Sequence, residues 1–300
     1  MIIDSIGEIT PGVHVLGHAA VPVYLVEGQM PAIFDAGMTF MGEIYATQIK
    51  AILGRRQPVF CFLTHSHFDH CGSVAVFQKH FPALRIGASR KAADVLSRPH
   101  AQALIRELNA YAGKMASRMD PRADPHAAFE PFEVDQVLVD GQQIQLSADL
   151  TLQVIETPGH TWDSVSYYLP QKRTLIASEA VGTPDATGYI ISDCLVDYRA
   201  YVASIEKLAK LEVETLFAGH MYAFSGSDAR RHLSESLRQA EIFRKMVEKF
   251  LAEERGDLKN VMGRVKQVEY DGKTGLKQPE PAYLLNLEAR VKAIQRLVSA

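Results

Sequence analysis

Short apolar runs divided by turn residues open the chain. Val13-His14-Val15-Leu16, Val23-Tyr24-Leu25-Val26 and Ala32-Ile33-Phe34 read as strands, punctuated by Glu27-Gly28 and Met30-Pro31. The apolar spacing then becomes helical over 41–53, with Gly54 as the stop. Val59-Phe60-Cys61-Phe62-Leu63 reads as a buried strand behind Pro58. A helix through Val74 and Phe77 follows and stops before Pro82, and Leu84-Arg85-Ile86-Gly87 is a further strand. Over 89–119, Ala93, Leu96, Leu104, Ile105, Leu108, Tyr111, Met115 and Met119 recur at helical spacing, broken by Pro99. This predicts two amphipathic helices packed on the core; the methionines leave a lid or a dimer surface as the second reading. The segment 120–131, with Pro121, Pro125 and Pro131, reads as a loop.

Strands return at 136–139 and 143–146, joined by an Asp140-Gly141 turn, and again at 152–155, 174–177 and 215–218. A helix is predicted over 198–211. Beyond Ser227 the pattern is helical, over 228–254, 257–267 and 283–298. The expectation is an α/β domain over residues 1–225 with a helical insert at about 89–130, followed by a C-terminal helical cap over 226–300.

Charge and cysteine content narrow the setting. With 32 basic against 35 acidic residues, and only 15 against 11 beyond residue 225, no cationic surface is large enough to argue for a nucleic-acid partner. No run of eighteen apolar residues occurs, and MIIDSIGEIT has no basic region followed by an apolar stretch, so neither a membrane span nor a secretory signal is expected. Cys61, Cys71 and Cys194 are odd in number and unevenly spaced, which argues against a disulfide framework and for the cytoplasm.

Four strand ends carry metal-type side chains. LTHSHFDHCGS places His65, His67, Asp69 and His70 after the strand ending at Leu63. Gly159-His160 follows 152–155, Ser178-Glu179 follows 174–177, and Gly219-His220 follows 215–218. Neutral imidazole with carboxylate suits zinc, iron or manganese rather than a calcium or magnesium cage. Five histidines and two carboxylates exceed the needs of one ion and suffice for two. His14, His18, His80, His100, His126 and His232 read as surface or satisfied core residues, and Cys71 as a packing residue. Ser164 and Ser178 lack a motif that would make either a nucleophile.

In order and spacing, THSHFDH, Gly159-His160, the acidic residue at 179 and Gly219-His220 resemble the metallo-β-lactamase superfamily. The resemblance runs from residue 1 to about 225 and implies a four-layer αββα sandwich with the site along one edge of its two sheets. It implies a first metal on His65, His67 and His160, and a second on Asp69, His70 and His220. Glu179 would bridge them, and Asp35 would support the site from behind. The family usually bridges with aspartate. One added methylene moves the carboxylate by about 1.5 Å, so either the backbone sits further back or the metals are spaced or coordinated differently. VPVYLVEG, LQVIETPGH and LFAGH, with the insert and cap, are similar to the superfamily's quinolone-signal-response, thioesterase-like subgroup.

The activity this implies is hydrolysis of an ester or thioester, acyl-CoA-like or lactone, by a hydroxide bridging two divalent transition-metal ions, zinc or iron and manganese. Asp69 would orient the hydroxide and take its proton, and Tyr222, two residues past His220, would contact the developing oxyanion or protonate the leaving group. The partner would be a small-molecule acyl substrate, with a homodimer left open by the insert. A mononuclear iron dioxygenase of persulfides is an alternative on the same scaffold, but leaves His70 and His220 without a role. The flavodiiron branch usually has glutamate where this chain has His67, and adds a flavodoxin domain. A ribonuclease of this superfamily would favour a basic arm. A regulatory protein acting through partner binding, with a vestigial site and the cap as contact face, is the remaining alternative.

Overall fold

The computed structural model describes residues 1–185, 187–221, 223–274 and 277–299. Two seven-stranded sheets lie face to face. In the first, the order is Gly7–Thr10, Val13–His18, Val21–Val26, Ala32–Phe34, Phe60–Phe62, Arg85–Ser89, Gln136–Leu138. In the second it is Ile2–Ile3, Ala223–Ser225, Thr215–Ala218, Thr174–Ser178, Val165–Leu169, Leu150–Glu156, Gln143–Ser147. Neighbouring strands from Ala32–Phe34 to Gln136–Leu138 are parallel, as are Thr174–Ser178 and Thr215–Ala218. Parallel neighbours need long crossovers, and these carry most of the helices.

The period of two in each strand divides the core. Tyr24, Val26, Phe34, Phe60 and Phe62 point between the sheets to meet Val154, Tyr167, Ile176 and Phe217. Val23, Leu25, Ile33, Cys61 and Ile86 point outward, under helices Gly42–Leu53, Val74–His80, Arg90–Leu96 and Pro99–Gly113. Strands covered on both faces read as continuous apolar runs, which is why they were legible. Behind the second sheet, Ile155, Leu175 and Leu216 are covered by Leu208 of helix Tyr198–Leu208 and by Ala229 and Leu233 of helix Ser227–Glu253. The four layers are therefore αββα, as expected.

Helix Ser227–Glu253 also packs against the last helices of the chain. Its Ala240, Phe243 and Val247 pack with Val261 and Val265 of helix Leu258–Lys266, and with Leu287, Val291 and Ile294 of helix Glu280–Ser299. The insert differs in detail from expectation, with three helical pieces rather than two: Arg90–Leu96, Pro99–Gly113 and Ala116–Met119. Pro99 starts the middle piece instead of merely breaking a helix, since the first helical position needs no N–H. Ile105 is buried, whereas Leu104 and Tyr111 are more than half exposed. Strand Val165–Leu169 gave no signal above, because the buried Ser166 breaks what would otherwise be a continuous apolar run.

His232, read above as a surface or satisfied core residue, lies stacked on Phe224 with Nε2–H donating to Val181 O at 3.1 Å. Burial pushes its pKa down to about 4 from 6.5. Between these values the unfolded chain binds the extra proton, so stability falls as the pH drops through that window, by up to about 3 kcal/mol. Chemical denaturation at pH 7 and pH 4.5 should show this slope, and His232→Gln should flatten it. An unchanged slope in the variant refutes the assignment.

Candidate metal centre

The parallel strands end on one edge of the sandwich, where an α/β sheet exposes backbone turns to which polar side chains can be attached. Asp35 follows Ala32–Phe34, Thr64 and His65 follow Phe60–Phe62, Glu179 follows Thr174–Ser178, and Gly219-His220 follow Thr215–Ala218. His160 comes from the loop after Leu150–Glu156, and Asp69 and His70 from the short helix Phe68–Cys71. Strain is concentrated here. Asp35, Ser178 and Met221, each at or beside a site residue, have positive φ of 59°, 51° and 69°.

Seven of the residues singled out in the sequence converge. Three groups of donors have ligand atoms mutually within 4.8 Å: His65, His67 and His160; His65, His70 and Glu179; and Asp69, His70 and His220. His160 Nε2 lies 3.3 Å from His67 Nδ1. Two nitrogens bound to one tetrahedral zinc at about 2.05 Å would be separated by about 3.3 Å, so these rings are spaced as ligands of one ion would be. Glu179 lies between the groups. Its Oε1 is 2.9 Å from His70 Nε2 and 2.8 Å from His220 Nε2, and its Oε2 is 3.9 Å from His65 Nε2. Asp69 Oδ2 is 3.6 Å from His220 Nε2 on the more open side of the cluster. Tyr222 lies outside the described residues.

The outer nitrogen of each of four rings is held by a partner, which fixes tautomer and orientation. His65 Nδ1 donates to Thr64 Oγ1 at 3.0 Å, and Thr64 Oγ1 in turn donates to Asp35. His70 Nδ1 donates to Asp35 Oδ2 at 2.8 Å, His160 Nδ1 to Asp193 O at 2.9 Å, and His220 Nδ1 to Ala20 O at 2.6 Å. The remaining nitrogens point inward. Asp163 Oδ2 accepts from Ser66 N at 2.8 Å, clamping the turn between His65 and His67.

Thr64, Asp163, Asp193 and Ala20 were not singled out in the sequence. Thr64 and Asp163 stood within or beside the quoted motifs, and their neighbours' chemistry could have drawn attention to them. Asp193 and Ala20 act through backbone carbonyls, which carry no residue-type signal.

Glutamate fits at 179 because its neighbour is glycine. A Cβ on Gly219 would fall 2.5 Å from Glu179 Oε1 and 2.6 Å from its Cδ, inside contact distance. Ser178 Oγ also donates to Glu179 Oε2. The longer side chain thus occupies space left by Gly219.

The carboxylates and rings set one another's charge. Burial opposes ionisation of Glu179, yet His70, His65 and His220 hold its carboxyl well below the usual range. Burial also opposes charging of His70 and His220, but Glu179 overrides it, with Asp35 and Asp69 assisting at His70 and Asp69 at His220, so that His70 rises well above 6.5 and His220 to about 9. Burial and the neighbouring rings push His65 well below 6.5, and burial with His160 pushes His67 down to about 4. Both remain neutral imidazoles with lone pairs to give. Among the described residues, His65 Nε2 is one of three buried side-chain nitrogens or oxygens without a hydrogen-bond partner. An orphaned imidazole nitrogen is costly unless something accepts its lone pair. Donor types, spacing and this orphan fit divalent transition-metal ions, whose binding would displace the protons that Glu179 favours on His70 and His220.

Comparison with known proteins agrees. Residues 16–220 match the family described as "Metallo-beta-lactamase superfamily". The "Probable metallo-hydrolase YflN" of Bacillus subtilis (strain 168) is 27% identical over 252 residues, 76% of this chain and 90% of that protein. The "Acyl-coenzyme A thioesterase MBLAC2" of Gallus gallus is 25% identical over 241 residues, 75% and 80% of the two chains. The metallo-beta-lactamase family protein TTHA1429 of Thermus thermophilus has the same fold, with a TM-score of 0.63 at 18% identity over 96% of this chain and 93% of that one. The chain belongs to the metallo-β-lactamase superfamily.

Proposed function

We propose that this superfamily member holds two divalent transition-metal ions and hydrolyses a small acyl ester or thioester. The observation that carries the reading is the meeting of two donor triads at one carboxylate, with Glu179 Oε1 within 2.9 Å of His70 and 2.8 Å of His220 while its Oε2 faces His65 at 3.9 Å. His65, His67 and His160 would hold one ion, Asp69, His70 and His220 the other, and Glu179 both. When bound, such a pair supplies a water of near-neutral pKa and a Lewis acid for the carbonyl oxygen.

The chain's own part is to orient and to move a proton. Asp69, 17% exposed at its side chain, faces the open side of the cluster, and its carboxylate accepts a proton from the attacking water. The water oxygen adds to the acyl carbon, the carbon–sulfur or carbon–oxygen bond breaks, and the electron pair leaves with the thiol or alcohol, which takes up a proton. Asp35 and the Asp193 carbonyl keep His70 and His160 aimed inward throughout.

The likeness to an acyl-coenzyme A thioesterase favours a thioester. Trp162, the single tryptophan of the chain, lies about half exposed two residues past His160, with Lys91 Nζ 5.8 Å from its ring. An aromatic face beside a cation suits a flat, anionic acyl thioester. Cys61, Cys71 and Cys194 are free and buried, which fits a reducing cytoplasm. Among the described residues no helix is long and apolar enough to cross a membrane.

Elemental analysis of protein expressed without added metal tests the centre. About two ions per chain are expected, falling to about one in Glu179→Ala, and thioesterase turnover should vanish on chelation and return with metal. One iron per chain, unaffected by Glu179→Ala, would instead favour the mononuclear dioxygenase. Turnover that survives complete metal removal would overturn the hydrolase mechanism.

A further inference from the structure

Between Glu179 and Asp193 the chain leaves the sheet, forms the two-stranded hairpin Thr183–Pro184 with Ile190–Ile191, and returns to the site. One end carries the carboxylate between the donor triads; the other carries the carbonyl that accepts from His160 Nδ1. Side chains of the C-terminal segment hold this stretch at several of its described residues. His232 Nε2 and Ser236 Oγ donate to Val181 O at 3.1 and 2.6 Å. Lys273 pairs with Asp185 at 2.5 Å, and Tyr189 OH donates to Glu269 at 2.7 Å.

Arg290 closes the grip. It is fully buried in helix Glu280–Ser299; its Nη2 pairs with the equally buried Glu269 at 2.9 Å, and its Nε donates to Ser192 O at 2.8 Å. A buried ion pair is poor evidence of stabilisation in itself, because apolar side chains often serve as well. What an apolar pair would lack is the donated bond to Ser192, one residue before the carbonyl that orients His160.

We infer that Arg290 is a positioning residue for the His65–His67–His160 triad, bracing Ser192 and Asp193 from the cap so that the Asp193 carbonyl holds the His160 ring in place. This rests on the metal-centre reading above. It makes the cap part of the centre's support, at a distance from any metal donor. Partners that orient a ligating histidine are worth ~10–100-fold in metal affinity, so loosening the brace should weaken one of two binding steps and leave the other.

The test compares the parent with Arg290→Lys, which keeps the charge but cannot place one nitrogen at both Nε and Nη2. Val261→Ala, a fully buried apolar change in the same cap, is the control for lost stability alone. The readouts are competition for zinc with a chromophoric chelator, and the visible spectrum of the cobalt-loaded protein. Expected are a roughly tenfold loss in one zinc-binding step and an altered cobalt spectrum in Arg290→Lys, with both readouts unchanged in Val261→Ala. If Arg290→Lys does not fold, the double variant Arg290→Met/Glu269→Gln, which leaves no unpaired charge, takes its place. A folded variant with parental affinity and spectrum overturns the inference alone, as does equal weakening by Val261→Ala. A parent that takes up no metal defeats the reading of the centre and this inference with it.

Discussion

Asp69→Asn should lower kcat for thioester hydrolysis by about 10³-fold, the central range for removing a positioned general base. The substitution is nearly isosteric and retains one carbonyl oxygen, but it removes the negative charge and the proton-accepting lone pairs. Asp69 sits in the first turn of helix Phe68–Cys71, with its Oδ2 3.6 Å from His220 Nε2 and its Oδ1 4.0 Å from His70 Nε2. It is partly exposed and its contacts lie within the donor cluster, so the thermal midpoint should move little. The informative measurement is kcat and KM together with metal content in the same preparation. A loss confined to kcat with two ions retained supports proton acceptance. A loss that only follows a missing ion makes Asp69 a ligand and nothing more. A rate within tenfold of the parent, with full metal content, would remove Asp69 from the mechanism.

Gly159→Ala should be the most destabilising single-methyl change at the site. Gly159 has φ +134°, and its added Cβ would lie 2.3 Å from Tyr201 Cα and 2.4 Å from Tyr201 N. These are backbone atoms in the first turn of helix Tyr198–Leu208, and they cannot rotate away as a side chain could. Backbone strain and overpacking together should cost about 4 kcal/mol, lowering the thermal midpoint by about 6 °C. Gly54→Ala separates the two effects. Its φ is +62° and nothing lies within 4 Å of the added carbon, so only the strain remains, at about 2 kcal/mol. Equal midpoints for the two variants would refute the close approach. Because Gly159 precedes His160 and its carbonyl accepts from Val196 N at 3.1 Å, the destabilised variant should also lose metal from the first triad.

These glycines show which parts of the site could be read from sequence. The donors were legible because each follows an apolar strand within a few residues, so chemistry and local structure share one stretch of chain. Gly159 and Gly219 appeared only as companions of His160 and His220. Their reasons lie far away in sequence, in the backbone at Tyr201 and the carboxylate of Glu179. Asp163 and the carbonyls of Ala20 and Asp193 were missed for the same reason, since the Asp163–Ser66 and His220–Ala20 bonds span 97 and 200 residues. At fold level, the C-terminal helical segment announced itself by periodicity. What remained illegible was that its first helix would continue onto the sheet, and that Arg290 would turn inward rather than lie on a charged face.

The pairing of Ile2–Ile3 with Ala223–Phe224 bears on how the molecule reaches this state. The first strand of the chain lies at the edge of the second sheet, beside partners made more than 200 residues later, while the strands immediately after it build the first sheet. Closing such distant contacts carries a large loop entropy before any contact repays it, and folding slows accordingly. The donor set has the same property, drawing on residues from His65 to His220. Metal capture therefore belongs to the end of folding, and its appearance in a refolding time course should lag the burial of the inter-sheet aromatics.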